Sequence, residues 1–372
     1  MKIYYIANAR MPSEKAYGIQ LAKMCEAFIE QGIEVELCIP RTLRSHLSLK
    51  EFYGLRVYVP TRTFLSFDWY DRGSVGFALS SLTFMASVCL YLLRHRGSAL
   101  VYTIDMDPYS FAPLALLGAP IAVEMHSPKI ANVLTRLFFK RANYIIATNP
   151  LTREKIASVF SLRPERFIVE PNGVDPSAFN VPSKEDARKE CALPAEANIA
   201  LYVGRFYDWK GMPVLQRAAV ELKKNGVLTY LIGGTQEEFE RRTGGPSVPL
   251  HFGGSVEHKS IVTWCAAADV LLILGTRANE FSYHYTAPMK LFEYMATGRP
   301  VVAANTPALR SLVSEEDVVF YAPDDPVDLA RKVYAVCSSP EESTQAIMNR
   351  LQKAREHLWS KRAARIGAFI GA

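Results

Sequence analysis

Short β-branched and aromatic runs alternate with stretches of helical apolar spacing from one end of the chain to the other. That alternation predicts parallel sheets wound with helices, an α/β architecture. In the first half, Lys2 to Ala7, Val35 to Ile39, Ala99 to Ile104, Ile121 to Met125 and Tyr144 to Ala147 read as strands. A helix is expected from Ile19 to Gln31, with Leu21, Cys25, Phe28 and Ile29 as its inward stripe and Gly32 at its end, and another from Ile130 to Ala142. Val75 to Leu93 runs about nineteen residues without a charge, long enough for a membrane span. Gly76, Ser80, Ser81, Thr83 and Ser87 dilute it, and it lies between strands of one sheet, so a buried crossover helix is expected instead. A second series begins at Asn198, with strands at Ala200 to Val203, Leu228 to Ile232, Leu250 to Phe252 and Val270 to Leu274. Between the series, the turn Pro171-Asn172-Gly173-Val174-Asp175 and a Pro-, Ala- and charge-rich stretch to Ala197 read as an interdomain linker.

The segment from Phe281 to Val302 parses as loop, short helix and strand: Pro288 stands at the helix start, Met289, Phe292, Met295 and Ala296 keep helical spacing, and Gly298 with Pro300 stops it. The backbone N–H groups of Met289, Lys290 and Leu291 would point out of the first turn, where the orphan donors and the helix dipole favour a phosphate. Glu293, one turn in on the polar flank, could accept hydrogen bonds from a ribose diol. An amphipathic helix with a merely solvated Glu293 is the plainer reading of this segment alone.

Composition bounds the answer without deciding it. With 372 residues, 49% apolar and 22% charged, two ordinary globular domains are expected. The excess charge sits in the front: residues 1 to 170 hold 20 Lys and Arg against 14 Asp and Glu, and the remainder balances at 23 of each. Such a half suits an anionic partner, a phospholipid surface or a phosphate-bearing substrate; no clustered basic run argues for nucleic acid. The six cysteines are scattered without a CxxC pair and read as buried free thiols of a reducing compartment. Asn8 and Arg10 come too soon for a signal-peptide core, so a cytoplasmic protein is expected.

Candidate chemistry gathers at strand ends. His126 follows the strand ending at Met125 and shares a face with Glu124, where a cleft residue of an open α/β sheet belongs. Asp105-Met106-Asp107 could hold a divalent cation but reads better as a strand-ending turn. An aromatic cluster of Phe64, Phe67, Trp69 and Tyr70 looks exposed, as a lipid or acceptor surface would, although such clusters are commonly core. In the second half, Gly204-Arg205 and then Lys210-Gly211 straddle a strand-to-helix loop. Two cations there can converge on a diphosphate, and a departing nucleoside diphosphate gains charge that they would stabilise.

Taken together, Pro171-Asn-Gly-Val-Asp, Gly204-Arg205 with Lys210-Gly211, His251-Phe-Gly-Gly-Ser-Val, Ala267-Ala-Asp-Val and Met289-Lys-Leu-Phe-Glu-Tyr-Met-Ala-Thr-Gly-Arg-Pro-Val-Val resemble the GT-B glycosyltransferases of family 4, most specifically across 170 to 325. The resemblance implies two Rossmann-like domains facing across a cleft, an acceptor domain over 1–175 and a nucleotide-sugar domain over 176–356, with a helix in 357–372 returning to the first. It implies a retaining, metal-independent transfer of sugar from a nucleoside diphosphate sugar, UDP- or GDP-linked, to a glycan or lipid-linked acceptor, with no cofactor. His126 would meet the donor sugar, Arg205 and Lys210 would grip the diphosphate, and Glu293 the ribose. Gly204, Gly254, Ser255, Met289, Lys290 and Leu291 would line the donor, with Gly18 at the front glycine loop. The family commonly carries a glutamate eight positions before the one matching Glu293; Tyr285 stands there instead, which leaves open how the sugar is held. The work expected is envelope polysaccharide synthesis at the inner membrane face. A sugar-nucleotide epimerase of the same layout, or a non-catalytic nucleotide-sugar-binding subunit, are the alternatives.

Overall fold

The computed structural model describes all residues except 14, 43–45, 96–98, 106, 247–248, 340–342 and 372. The chain divides into two compact units, Met1–Asn172 with Trp359–Ala372, and Gly173–Leu358.

In the first unit, β1 (Lys2–Ile6), β2 (Glu34–Pro40), β3 (Thr61–Phe64), β4 (Ala99–Ile104), β5 (Ile121–Met125), β6 (Tyr144–Ala147) and β7 (Phe167–Val169) form one sheet in the order β3-β2-β1-β4-β5-β6-β7, with every pair parallel. Tyr4, Ile6, Val101, Val123 and Ile145 alternate out of it to bury Phe84, Phe111, Phe138 and Phe139 of the covering helices. The order reverses between β1 and β4, and a doubly wound sheet opens its ligand crevice at the carboxyl ends of such strands. The closing helix Trp359–Ile370 belongs to this unit and packs on helix Ala16–Glu30 and on β6.

The second unit repeats the architecture with six parallel strands, β8 (Asn198–Val203), β9 (Val227–Ile232), β10 (Leu250–Phe252), β11 (Val270–Ile273), β12 (Val301–Ala304) and β13 (Val319–Tyr321), in the order β10-β9-β8-β11-β12-β13. Its switch lies between β8 and β11. Leu201, Val203, Leu271, Ile273, Leu291 and Phe292 build its core.

Three expectations change. The stretch read as a linker folds into the second unit: it holds the helix Lys184–Glu190, whose Ala187 packs on Ala266 and Ala267 and whose buried Arg188 donates to Asp269 at 2.7 Å and to the Ala267 carbonyl at 3.0 Å. Local charge and proline were real, but the long-range anchor Asp269 is invisible to a local reading. Helix Gly73–Arg94 is the crossover between β3 and β4, yet only one side is buried, through Gly76, Ser80, Ser81, Phe84, Met85, Val88 and Leu92. Val75, Leu79, Leu82, Leu90 and Leu93, spaced on the opposite side, face solvent. In the aromatic cluster, Phe64 is core, while Phe67 and Trp69 stack on each other at 5.1 Å and remain 48% and 38% exposed.

Candidate functional site

The carboxyl edge of the second sheet collects its candidate residues at the switch between β8 and β11. Gly204 follows β8 at φ +135°, a conformation that only glycine adopts without strain, and its amide donates to the Ile232 carbonyl at 2.7 Å. A Cβ on Gly233, at the end of β9, would lie 2.8 Å from Gly204 backbone atoms, and the Gly233 amide in turn donates to the Gly254 carbonyl at 2.7 Å. The loops after β8, β9 and β10 therefore press together through their backbones, which places Gly204 and Gly254 on either side of Gly233 along one rim, with exposed Ser255 following Gly254.

Two lysines reach that rim. Lys210 ends the single 3-10 turn Asp208–Lys210, and its Nζ donates to the Arg205 carbonyl at 3.3 Å, with the Tyr207 and Trp209 rings 5.2 and 5.4 Å away. Lys290, first residue of helix Lys290–Ala296, donates from Nζ to the Val203 carbonyl at 3.2 Å and lies 3.6 Å from the Tyr202 ring centroid. Among the described residues neither forms an ion pair with a carboxylate. Burial pulls the Lys210 ammonium down to about 8. Burial lowers Lys290 well below the ordinary lysine value, and the charge of Lys210 lowers it further, against weaker opposing pulls from Cys265 and Glu293. Two desolvated cations that repel each other, held by carbonyl dipoles at a switch point, form a site that an anion would complete.

Around them, Glu293 is bound to His258, Oε1 to Nε2 at 3.2 Å. Tyr285 ends the π-helical turn Phe281–Tyr285 and its hydroxyl donates to Glu280 Oε1 at 3.2 Å, so a carboxylate stands beside the position where the family's first glutamate is replaced. The Leu291 amide donates to the Pro288 carbonyl at 3.1 Å, so one of the three amides expected to face a ligand is already engaged; Met289 supplies the N-cap position without a side-chain cap. Tyr294 fixes the strand end, its hydroxyl accepting from the Val203 amide at 2.8 Å.

The first unit holds a separate cluster after β5. Glu124, fully buried, accepts from Arg362 Nη2 at 2.7 Å on Oε1, from Arg362 Nη1 at 3.2 Å on Oε2, from the Tyr102 hydroxyl at 2.8 Å and from the Gln20 amide. His126 Nε2 lies 2.9 Å from Glu124 Oε1, confirming the shared face, and 3.0 Å from Gln20 Nε2. Burial alone would raise the Glu124 carboxyl; the Arg362 charge and the His126 contact override it and hold it at about 2. Gly18 lies inside the first turn of helix Ala16–Glu30, which begins before the expected Ile19. A Cβ on Gly18 would overlap the Tyr53 hydroxyl and approach the Ser13 carbonyl to 2.9 Å, so close packing accounts for the glycine. Asp107 caps helix Pro108–Leu114, accepting from the Tyr109 amide at 2.9 Å, and Asp105 pairs with Lys129 at 2.8 Å, which is the turn reading of that pair; Met106 lies outside the described residues.

Sequence reasoning missed Gln20, Tyr202, Gly233, His258, Tyr294 and Arg362. The glycine doublet after Ile232, at a strand end, was a usable signal for Gly233. Nothing local marks Arg362, which acts across 238 positions of sequence from Glu124.

This arrangement defines a class before it defines a member. Residues 18–178 match the family model Glycosyltransferase Family 4, and 197–339 match Glycosyl transferases group 1. The chain belongs to these family 4 glycosyltransferases, with two Rossmann-like sheets of the GT-B fold. It is 27% identical over 240 residues to D-inositol 3-phosphate glycosyltransferase 2 of Catenulispora acidiphila, covering 60% of this chain and 54% of that protein. It is 28% identical over 163 residues to the phosphatidyl-myo-inositol mannosyltransferase of Mycobacterium tuberculosis, covering 43% and 40%. The matches thus span about half the length of these relatives or less. Among solved structures, sucrose-phosphate synthase from Thermosynechococcus elongatus superposes with a TM-score of 0.78 at 18% identity, covering 100% of this chain and 98% of that one. Anabaena HepE in complex with UDP-glucose superposes at 0.73 with 17% identity, covering 100% and 99%.

Proposed function

We propose that the protein moves a sugar from a UDP- or GDP-linked donor to a glycan or lipid-linked acceptor. The observation that carries this reading is the pair Lys210 and Lys290, two desolvated cations at a sheet switch point with, among the described residues, no carboxylate bound to either. A diphosphate would neutralise both. As the anomeric carbon–oxygen bond to the β-phosphate breaks, the leaving oxygen gains charge that the lysines and Arg205 stabilise more in the transition state than in the ground state. The acceptor oxygen bonds to the anomeric carbon from the same face, its proton passing to the departing phosphate oxygen, so configuration is retained and no metal or cofactor is needed. Glu293, steadied by His258, takes the ribose, Gly254 and Ser255 border the base, and Tyr285 with Glu280 faces the sugar. The likeness to HepE, solved with UDP-glucose, supports a nucleotide-sugar donor.

For the acceptor, the relatives named for inositol phosphate and phosphatidylinositol support an anionic or lipid-borne alcohol. The solvent-facing stripe of Val75, Leu79, Leu82, Leu90 and Leu93, with Phe67, Trp69 and Arg72 beside its start and Arg94 at its end, suits a helix lying in a bilayer interface. We therefore assign the protein to the cytoplasmic membrane face in envelope glycan synthesis; its six free cysteines suit that reducing side. Incubation with a panel of UDP- and GDP-sugars and phosphoinositide or polyprenyl-linked acceptors, in chelator, tests the reading through transfer to acceptor. Exchange of solvent deuterium into the donor sugar without any acceptor would replace it with the epimerase reading, and binding without turnover would replace it with the non-catalytic one.

A further inference from the structure

We propose that Arg362, on the closing helix of the chain, is a positioning residue for His126: through the Glu124 carboxylate it fixes the imidazole in the tautomer that presents Nδ1 as an acceptor. Arg362 is the largest fully buried side chain among the described residues, and its guanidinium spans Glu124 bidentately. Its remaining N–H groups donate to the Pro171 carbonyl at 2.7 Å and the Glu170 carbonyl at 3.2 Å, so the fork has one available orientation. Arg365, one turn on, anchors the same helix by pairing with Glu170 at 2.6 Å.

The consequence follows from counting donors. An ionised carboxylate only accepts, and Oε1 of Glu124 receives Arg362, Gln20 and His126. The Gln20 amide nitrogen, 3.0 Å from the same Nε2, also only donates, but a lone pair on Nε2 would face the anionic Oε1 at 2.9 Å, the costlier conflict; Nε2 therefore carries its proton toward Glu124, and the lone pair of a neutral ring is left on Nδ1. Without the guanidinium charge, a carboxyl fully enclosed by protein is driven toward its protonated form. A protonated Glu124 would donate to Nε2, the ring proton would shift to Nδ1, and the nitrogen that accepts would become one that donates. A wrong tautomer in an otherwise intact arrangement is among the most damaging changes a histidine site can suffer.

Tyr102 and Gln20 also bind Glu124 but carry no charge, which separates charge from hydrogen bonding. The test is ring-nitrogen NMR of 15N-histidine protein, with His126 among seven histidines assigned by loss of its resonances in His126→Asn. Wild type, Arg362→Lys and Tyr102→Phe should all report the Nε2–H form, and Arg362→Met should shift to Nδ1–H or a mixture. Should Arg362→Met not fold, Arg362→Gln, which keeps a donor without the charge, takes its place. An unchanged Nε2–H tautomer in the uncharged variant overturns the proposal, as does an Nδ1–H form in wild type. The kinetic consequence rests on the reading of His126 as the donor-sugar histidine. Turnover should fall at least about tenfold in Arg362→Met with donor KM nearly unchanged, and should fall no further when the change is added to His126→Asn. A tautomer shift without any kinetic effect would leave the geometry standing and count against the role of His126; an additive loss in the double variant would count against the coupling itself.

Discussion

The ammonium groups of Lys210 and Lys290 both hang on the backbone at the end of β8, the first on the carbonyl of Arg205 and the second on that of Val203, and the charge of Lys210 is felt at Lys290. Folding ordinarily avoids bringing two cations out of water side by side. Their persistence at the carboxyl edge of a doubly wound sheet supports the proposed diphosphate site, and it carries a stability cost in the ligand-free protein.

That cost is measurable. Lys290→Met removes a desolvated charge and keeps the side-chain length, so the ligand-free variant should melt no lower than wild type, rising by about 2–4 °C for each kcal/mol recovered. Nucleotide-sugar affinity should meanwhile drop at least about tenfold, the size expected for one charge-assisted contact. Calorimetric melting with a parallel binding titration checks both; a large fall in melting temperature would mean that the lysine serves packing.

Donor binding should weaken as pH rises. Lys210 titrates at about 8 in the free protein, and a diphosphate bound beside it favours the protonated form. From about pH 8 upward, binding must therefore take up a proton, and affinity should fall by as much as about tenfold per pH unit per lysine involved. The sign for folding is opposite: between about 8 and the ordinary lysine value the unfolded chain holds the proton that the native chain has lost, so this group's contribution to stability rises with pH. Titration of a nucleotide sugar, whose diphosphate diester keeps a constant charge over this range, in buffers of different ionisation enthalpy reads the proton uptake directly.

The apolar stripe on helix Gly73–Arg94 makes its own prediction. Wild-type protein should float with anionic vesicles, and replacing Leu79, Leu82 and Leu90 by Asp should abolish recovery in the lipid fraction while leaving the melting temperature near wild type, because all three face solvent. Equal recovery of both proteins would remove the membrane from the account.

Tyr294→Phe strands the Val203 amide, which the hydroxyl now satisfies at 2.8 Å inside the core. An unsatisfied buried donor costs about 1–3 kcal/mol, and chemical denaturation should show a loss of that size. A loss well below it would mean that water or a shifted backbone replaces the bond.

The sequence made the strands legible wherever a run was long enough for its β-rich character to show, as in Ala99–Ile104 and Val227–Ile232. It also showed the short runs Leu250–Phe252 and Tyr144–Ala147 but hid Thr61–Phe64, Phe167–Val169 and Val319–Tyr321, edge strands that take their strand character from a neighbour in the sheet. For the candidate site, motif spacing found Lys210 and His126, but it read Lys290 for its backbone alone. Only the tertiary fold turns that side chain back onto Val203 and makes it the partner of Lys210. The same holds for Glu124, whose strand position was visible and whose counterion, Arg362, lies in the last turns of the chain.

The proposed function requires the rim bearing Lys210 and Lys290 to bind a nucleoside diphosphate. The most direct measurement is thermal unfolding of wild type, Lys210→Ala and Glu293→Ala with UDP, GDP, ADP and their sugars, in chelator. At about a hundred times its dissociation constant a ligand adds roughly 2.7 kcal/mol to native stability, readily seen as a melting shift. A shift is expected for one nucleotide family, abolished by Lys210→Ala and reduced by Glu293→Ala. Equal shifts in all three proteins, or none with any nucleotide, would contradict it.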